Sequence, residues 1–409
     1  MNWITPRLAG INCMRIRTRL SLLVFVMLLP MIVLLVAAFN DRQEVIASTK
    51  DEQAGLQLIV VGNKLLSDVQ NHRDLSHIVR SGDVSQKDAL ARARIDVEAD
   101  LKALDAEYRQ NGDRFSLQSQ YAEIKDRWAR IADMGPGEAP IKVWEAHTGL
   151  VNEGIFPWIF VAGNNSGLAT DPDSGNANAI MAVKDSLPLL TEQQSLVRGL
   201  GAAALVTGQG APISPAVKQA INDNMARVDL LGLTFKRNLD EAIRANPQYK
   251  EALSAPLLRS TSDGHAFVDA INRELLTVPA LKGNPSAFFI SGSTSINTTN
   301  KILTATQDVL GKEFTARKAS ARSQMYRSGG LAFMTIGIAF LLVIVIAASI
   351  TRPISQLVEV ADRISLGELD AEIDISGANE VGQLAESLRR MQTSLRSAIE
   401  RLRTRRAAA

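Results

Sequence analysis

Residues 329–350 form a wholly apolar run that passes without a gap into a pair of heptad patterns, and this junction limits what the chain can fold into. The run carries no charge and is about long enough to cross a bilayer as a helix, for which about twenty residues are needed. Arg352 and Pro353 mark its exit. Beyond them Ile354, Leu357, Ala361 and Ile364 step by three, four and three, the seam of a coiled coil. A second seam follows through Val381, Leu384, Leu388, Met391, Leu395, Ala398 and Leu402. Between the two, residues 369–376 alternate apolar and acidic side chains, which suits an extended segment. A dozen extended residues reach about 40 Å, whereas the first heptad helix is only about 21 Å long. The connector is therefore long enough to climb back along that helix and let both helices point the same way. One such pair buries little apolar surface, so two copies forming a parallel four-helix bundle complete the core. The rival, an amphipathic tail lying on lipid, is disfavoured by the acidic connector.

This segment resembles a HAMP domain, the relay of histidine kinases, adenylyl cyclases, methyl-accepting chemoreceptors and phosphatases. The features that carry the resemblance are Pro353 just inside the first helix, Gly367, Glu368 and Leu369 opening the connector, the run 379–384 beginning the second helix, and Met391 after it. The family usually has Asp-Glu where this chain has Asn379 and Glu380. The resemblance covers about fifty residues and implies a relay role for Pro353, Gly367, Glu380, Leu384 and Met391.

The formal net charge of +2 hides an uneven distribution. No Asp or Glu occurs before Asp41, while Arg7, Arg15, Arg17 and Arg19 precede a second apolar run over residues 20–39. That run reads as a retained first span, being longer than the apolar part of a cleavable signal peptide. Arginines before it hold the N-terminus in the cytoplasm, and two spans return the C-terminus there. The organisation expected is a cytoplasmic N-terminus (1–19), a span (20–39), a periplasmic sensor domain (40–328), a second span (329–350), a HAMP domain (351–404) and a tail (405–409), in a bacterial inner membrane. Met14 is an alternative start to Met1. The one cysteine, Cys13, precedes the first span, so the external segment has neither a disulfide nor a thiolate metal cluster.

The external segment has hardly any strand signature. Helical spacing of apolar residues extends the first span to about Val79, and further helices are expected over 86–109, 116–133, 141–161, 177–207, 215–245, 249–277 and from 286 into the second span. Gly, Asn and Pro clusters punctuate them. About eight helices make two four-helix modules, so the fold expected is all-α. With 5% aromatic residues, the cores must be mostly Leu, Val, Ile and Ala.

Two stretches echo one another: Gln70 stands one turn before Arg73, and Gln194 one turn before Arg198. They lie on different expected helices and are placed to face one cavity. An arginine inside a helical bundle is costly to desolvate unless paired, and its fork suits a small oxyanion or carboxylate. The layout is similar to the helical input domains of bacterial chemoreceptors, including the nitrate- and nitrite-sensing type, in which arginines on different helices are thought to hold the anion. That type has a Glu-Arg pair where this chain has His72 and Arg73. The alternative is that Arg73 and Arg198 form structural ion pairs with Asp74 or Glu192.

Other motifs carry less. Residues 72–75 read like a kinase catalytic loop but have no accompanying Asn, DFG triplet or nucleotide loop. Residues 199–204 fit a dinucleotide fingerprint but follow no strand. The four histidines offer no metal triad, and Trp128, Trp144 and Trp158 read as core. The arginines at 401–406 read as a solvated helix end. The resulting reading is a non-enzymatic, chemoreceptor-like transducer without cofactor, metal or nucleic-acid partner and without an output module. It is a homodimer in the membrane, taking a small anionic ligand or a periplasmic protein outside and a signalling partner in trans inside. Two alternatives are a membrane-anchored scaffold whose bundle binds a protein partner, and the input half of a truncated sensor histidine kinase.

Overall fold

The structure, a computed structural model, describes residues 16–407. The alternative starts, Cys13 and the arginines up to Arg15 lie outside the described residues. Helices follow in the order α1 (Ile16–Arg80), α2 (Lys87–Asn111), α3 (Gln118–Ala132), α4 (Pro140–Gly149), α5 (Phe156–Asn165), α6 (Ser174–Met181), α7 (Leu187–Thr207), α8 (Pro215–Ala245), α9 (Pro247–Ile271), α10 (Pro285–Ser365) and α11 (Glu380–Ala407). Among the described residues the only β pairing is an isolated bridge between Gln209 and Leu281. The chain divides into two units, residues 44–321 and a second that joins the chain before residue 44 to everything from Arg322.

Helix starts follow local chemistry. Pro140, Pro215, Pro247 and Pro285 open their helices, where the missing N–H costs nothing. Asp173 and Asn246 cap α6 and α9 by accepting from the backbone N–H groups of Asn176 and Gln248. Gly82, at φ +119°, supports the turn after α1. Three π-helical turns among the described residues were not expected, one of them at Asn272–Leu276 after α9, within the helix expected over 249–277. Helices expected to run unbroken over 141–161 and 177–207 contain the other two, at Leu150–Ile155 and Ala182–Ser186. Each of these two lies just before a proline, Pro157 or Pro188, whose ring clashes with the carbonyl one turn back and favours a wider turn.

Within residues 44–321 the apolar core falls into two clusters. The larger includes Leu58, Leu65, Trp158, Leu239, Tyr249 and Phe314. Trp158 is wholly buried, and its indole N–H donates to the carbonyl of Leu58 at 2.9 Å. The smaller includes Ile78, Val197, Leu205, Phe267, Leu275 and Phe288. Five helices, α1, α7, α8, α9 and α10, contribute to both clusters, and three of them carry buried polar residues in between. On α1, Gln70, His72, Arg73, Asp74 and Ser76 are buried between Val69 and Ile78. On α7, Glu192 and Ser195 are buried between Leu190 and Val197, and on α10, Ser295 and Thr299 between Phe288 and Ile302. A buried polar layer thus separates the two apolar clusters. Such a layer must satisfy its own hydrogen bonds and charges to be tolerated.

In the second unit the apolar stretches of α1 and α10 expose their side chains, with Met27 at 76% and Phe333 at 82%. Both are long and apolar enough to cross a membrane. Helix α10 continues through Pro353 to Ser365. Pro353 therefore lies inside a continuous helix, where the expectation was a helix start. The missing N–H loosens one turn without ending the helix.

Candidate functional site

Arg73 on α1 is wholly buried. Its Nε donates to Asp74 Oδ1 at 3.2 Å, Nη1 to Glu192 Oε1 at 2.6 Å, and Nη2 to Ser195 Oγ at 3.0 Å. Its guanidinium carbon also sits 4.7 Å from the ring centre of Trp144 on α4. Burial disfavours its charged form, yet Glu192 and Asp74 hold its pKa above the ordinary arginine value. Arg198 on α7 lies 2.8 Å from Asp74 Oδ2, and its Nη1 donates to Ser293 Oγ on α10 at 3.0 Å. Ser195 Oγ donates to the same Asp74 oxygen at 2.8 Å. Gln70 Nε2 donates to Glu192 Oε2 at 2.9 Å.

The two arginines singled out in the sequence are thus brought together, and their meeting point is a carboxylate of the chain itself. Asp74 bridges both guanidinium groups, and Glu192 closes the far side of Arg73. Two cations and two anions balance, as a buried network requires. Gln194, expected beside Arg198, joins none of these bonds. Its Oε1 is buried without a hydrogen-bond partner among the described residues. The sequence echo offered no signal for Ser195, Ser293 or Trp144, whose roles depend on which helix faces which.

Beside the network, His72 Nδ1 lies 2.8 Å from His147 Nε2, and His147 Nδ1 lies 2.7 Å from the Val143 carbonyl. A carbonyl only accepts, so His147 carries its proton on Nδ1 and accepts on Nε2, and His72 donates. Burial is the main cause that lowers both pKa values, to about 4 for His72, with help from Arg94 and Arg80, and to about 3 for His147, with help from His72.

In the second unit, α10 ends in a left-handed glycine. Gly367 has φ +99°, and the N–H groups of Gly367 and Glu368 return to the carbonyls of Ile364 and Arg363, the usual closure of a helix end. The connector is then read by two side chains of α11. Gln392 Nε2 donates to the carbonyls of Leu369 and Ala371 at 3.0 and 2.7 Å. Arg389 Nη2 donates to those of Ile373 and Ile375 at 3.1 and 2.6 Å. As the connector advances, its partners on α11 retreat, so α11 runs against the connector and parallel to the end of α10. Leu357, Ile364, Ala371, Ile373 and Ala385 form the core between them. The second seam splits: Val381 and Leu388 pack on this core, whereas Leu384, Met391 and Leu395 are 50%, 46% and 42% exposed. Glu380 is the exposed first residue of α11, and Asn379 Oδ1 caps the helix by accepting from the Gly382 N–H at 3.0 Å. An asparagine caps as well as the aspartate usual at this position.

The HAMP domain family matches residues 345–397. This segment is a HAMP domain. Its geometry explains one glycine that the motif alone does not. A Cβ at Gly382 would collide with the backbone carbonyl of Gly377, so the HAMP connector and α11 touch through bare backbone. Gly382→Ala is expected to destabilise the HAMP domain by about 1–3 kcal/mol, read as lost amide-exchange protection over residues 369–392 while residues 44–321 keep theirs.

Chemotaxis receptors are among the chain's relatives. Methyl-accepting chemotaxis protein TlpB of Bacillus subtilis (strain 168) is 27% identical over 186 residues, 41% of this chain and 27% of that protein. Methyl-accepting chemotaxis protein I of Escherichia coli (strain K12) is 36% identical over 77 residues, 19% of this chain and 14% of that protein. A putative sensory transducer protein of Acetivibrio thermocellus is 41% identical over 64 residues, 16% of this chain and 12% of that protein. The chain therefore spans 27% or less of the length of these relatives. Among solved structures, that of the NasR transcription antiterminator is similar in fold, with a TM-score of 0.55 at 14% identity over 88% of this chain and 94% of that one. The chain is a HAMP-containing, all-helical protein with chemotaxis receptors among its relatives.

Proposed function

We propose that the chain is a two-span inner-membrane sensory transducer, in which residues 44–321 read an external signal and the HAMP domain relays it as a homodimer. The carrying observation is the shared carboxylate: Asp74 on α1 holds Arg73 of its own helix and Arg198 of α7, and Arg198 in turn holds Ser293 of α10. One buried charge network thereby joins the two helices that carry the apolar runs. A ligand that rearranges this network shifts α1 against α10, and a HAMP domain with two packings a few kcal/mol apart converts the shift into a population change. A second copy covers Leu384, Met391 and Leu395, the exposed half of the seam, and both termini lie in the cytoplasm.

The signal in this reading is a small oxyanion or carboxylate that competes with Asp74 and Glu192 for the forks of Arg73 and Arg198, with Gln70 beside them on Glu192. Titration calorimetry of the full chain in lipid nanodiscs, against nitrate, nitrite and small organic acids, tests it. Saturable binding by at least one anion is expected, weakened at least tenfold by Arg198→Lys, which keeps the charge and loses the two-pronged fork. Absence of binding by every anion, or equal binding by the variant, overturns the anion reading. The completeness of the pairing around wholly buried Arg73 favours a second reading, a membrane scaffold whose helical unit takes a protein partner and whose network is structural.

A further inference from the structure

A cavity of about 760 Å³ lies between α7, α8, α9 and α10, apart from the arginine network. Its walls are apolar, with Val197, Leu239, Phe267, Ile271 and Ile302 buried along it. Several polar side chains break this surface; Ser260 and Thr299 pair with each other at 3.1 Å, whereas Gln194 and Ser295 do not pair. Gln194 on α7 is 8% exposed and Ser295 on α10 is 1% exposed. The Gln194 Oε1 and Ser295 Oγ atoms have no hydrogen-bond partner among the described residues. A buried acceptor without a donor is unfavourable, and a native protein keeps one when something else supplies the bond. The charged groups that border the cavity are spent or peripheral: Lys236 is paired with Asp240 at 2.6 Å, and Asp229 and His265 are exposed. The rim carries exposed Leu233 and Leu258. The volume is that of a small-molecule pocket, mostly apolar with a few convergent polar groups.

We infer that this cavity is a second ligand site, taking an uncharged amphipathic molecule with an apolar body and one hydroxyl or amide N–H that donates to Gln194. The carbonyl oxygen of Gln194 can only accept, so the ligand must bring the donor, and the Ser295 hydroxyl can then donate back to the ligand oxygen or accept a second N–H. An ionised head group finds no opposite charge among the buried residues of the wall and would be desolvated there without compensation. Ser295 stands two residues from Ser293, the α10 partner of Arg198. An occupant therefore touches α10 beside the point where the charge network grips it. The inference is independent of anion binding.

Photolabelling of the full chain in nanodiscs with the uncharged diazirine alcohol 3-azioctanol tests it, with peptide mapping by mass spectrometry. Saturable labelling is expected within residues 190–197, 257–271 and 295–302, suppressed by excess octanol. The matched azialkane without the hydroxyl should label these peptides at least fivefold less, and the matched azicarboxylate likewise. Gln194→Leu should reduce labelling at least fivefold while leaving the melting temperature unchanged or raised, because it removes an unsatisfied group. Val228→Trp, which narrows the cavity and spares Gln194 and Ser295, should abolish labelling. Labelling confined to residues 20–39 and 329–350, non-saturable labelling of the cavity peptides, or equal labelling by the alkane, the carboxylate or the Gln194→Leu variant overturns the inference.

Discussion

Asp74→Ala is expected to lower the unfolding free energy of the chain by about 3–5 kcal/mol, the cost of removing one partner from a buried ion network. The aspartate holds two guanidinium groups and the Ser195 hydroxyl at once. Without it, Glu192 is left to neutralise a wholly buried Arg73, and Arg198 keeps only neutral partners in this network. Coulomb attraction and desolvation oppose one another here, and it is the unpaired charge left behind that decides the sign. The paired replacement Arg73→Met with Glu192→Leu removes one cation and one anion together. It should cost much less than Asp74→Ala, even though it deletes more polar atoms. Urea unfolding in detergent checks both. A loss below about 1 kcal/mol for Asp74→Ala would mean that water reaches the network and screens it.

The second large effect is loss of stability in acid. His72 and His147 have folded pKa values near 4 and 3, below the usual 6.5 of the unfolded chain, and burial also lowers that of His77. Between those values and 6.5 the unfolded chain binds more protons than the folded one, so stability is fully present above pH 6.5 and falls as pH drops through the window. Each unit is worth about 1.4 kcal/mol, which makes the loss several kcal/mol by pH 4. Protonating the pair also places two cations at a 2.8 Å contact, beside Arg80 and Arg94. Asp100 works in the opposite direction. Burial and Asp68 push its carboxyl up to about 7, so its contribution declines as pH rises through neutrality. The expected profile of melting temperature is a maximum near pH 6.5 to 7 with a steep acid side. In His72→Gln/His147→Leu the acid side should flatten, and an unchanged acid slope would show that other groups control it.

The helices were largely legible because their signals are local. The pattern over 215–245 matches α8 residue for residue, and α2, α3 and α9 begin within a few residues of expectation. Proline at helix starts and glycine or asparagine at their ends act within one turn, so neighbours in sequence suffice. The π turns at 150–155, 182–186 and 272–276 escaped because a regular spacing count cannot register a single widened turn. The continuity of α10 through Pro353 escaped for a related reason: a proline reads as a boundary, but packing and the helix on either side outweigh one lost hydrogen bond.

The site was half legible. Arg73 and Arg198 were recognisable from the repeated glutamine one turn before each, and Asp74 and Glu192 as their alternative partners. The meeting of both arginines on one oxygen-bearing group, the His72–His147 pair and the separation of Gln194 from the network were not. Those partners stand from 75 to 124 residues apart, and no local pattern encodes which turn of one helix lies against which turn of another. The sequence by itself determined what hydrophobic periodicity and turn chemistry can express: an all-helical chain, two apolar runs, and a HAMP segment whose connector is long enough to allow parallel helices. The tertiary structure alone decided where buried charge is neutralised and where a cavity is left open, because both depend on distances between side chains that only helix packing sets.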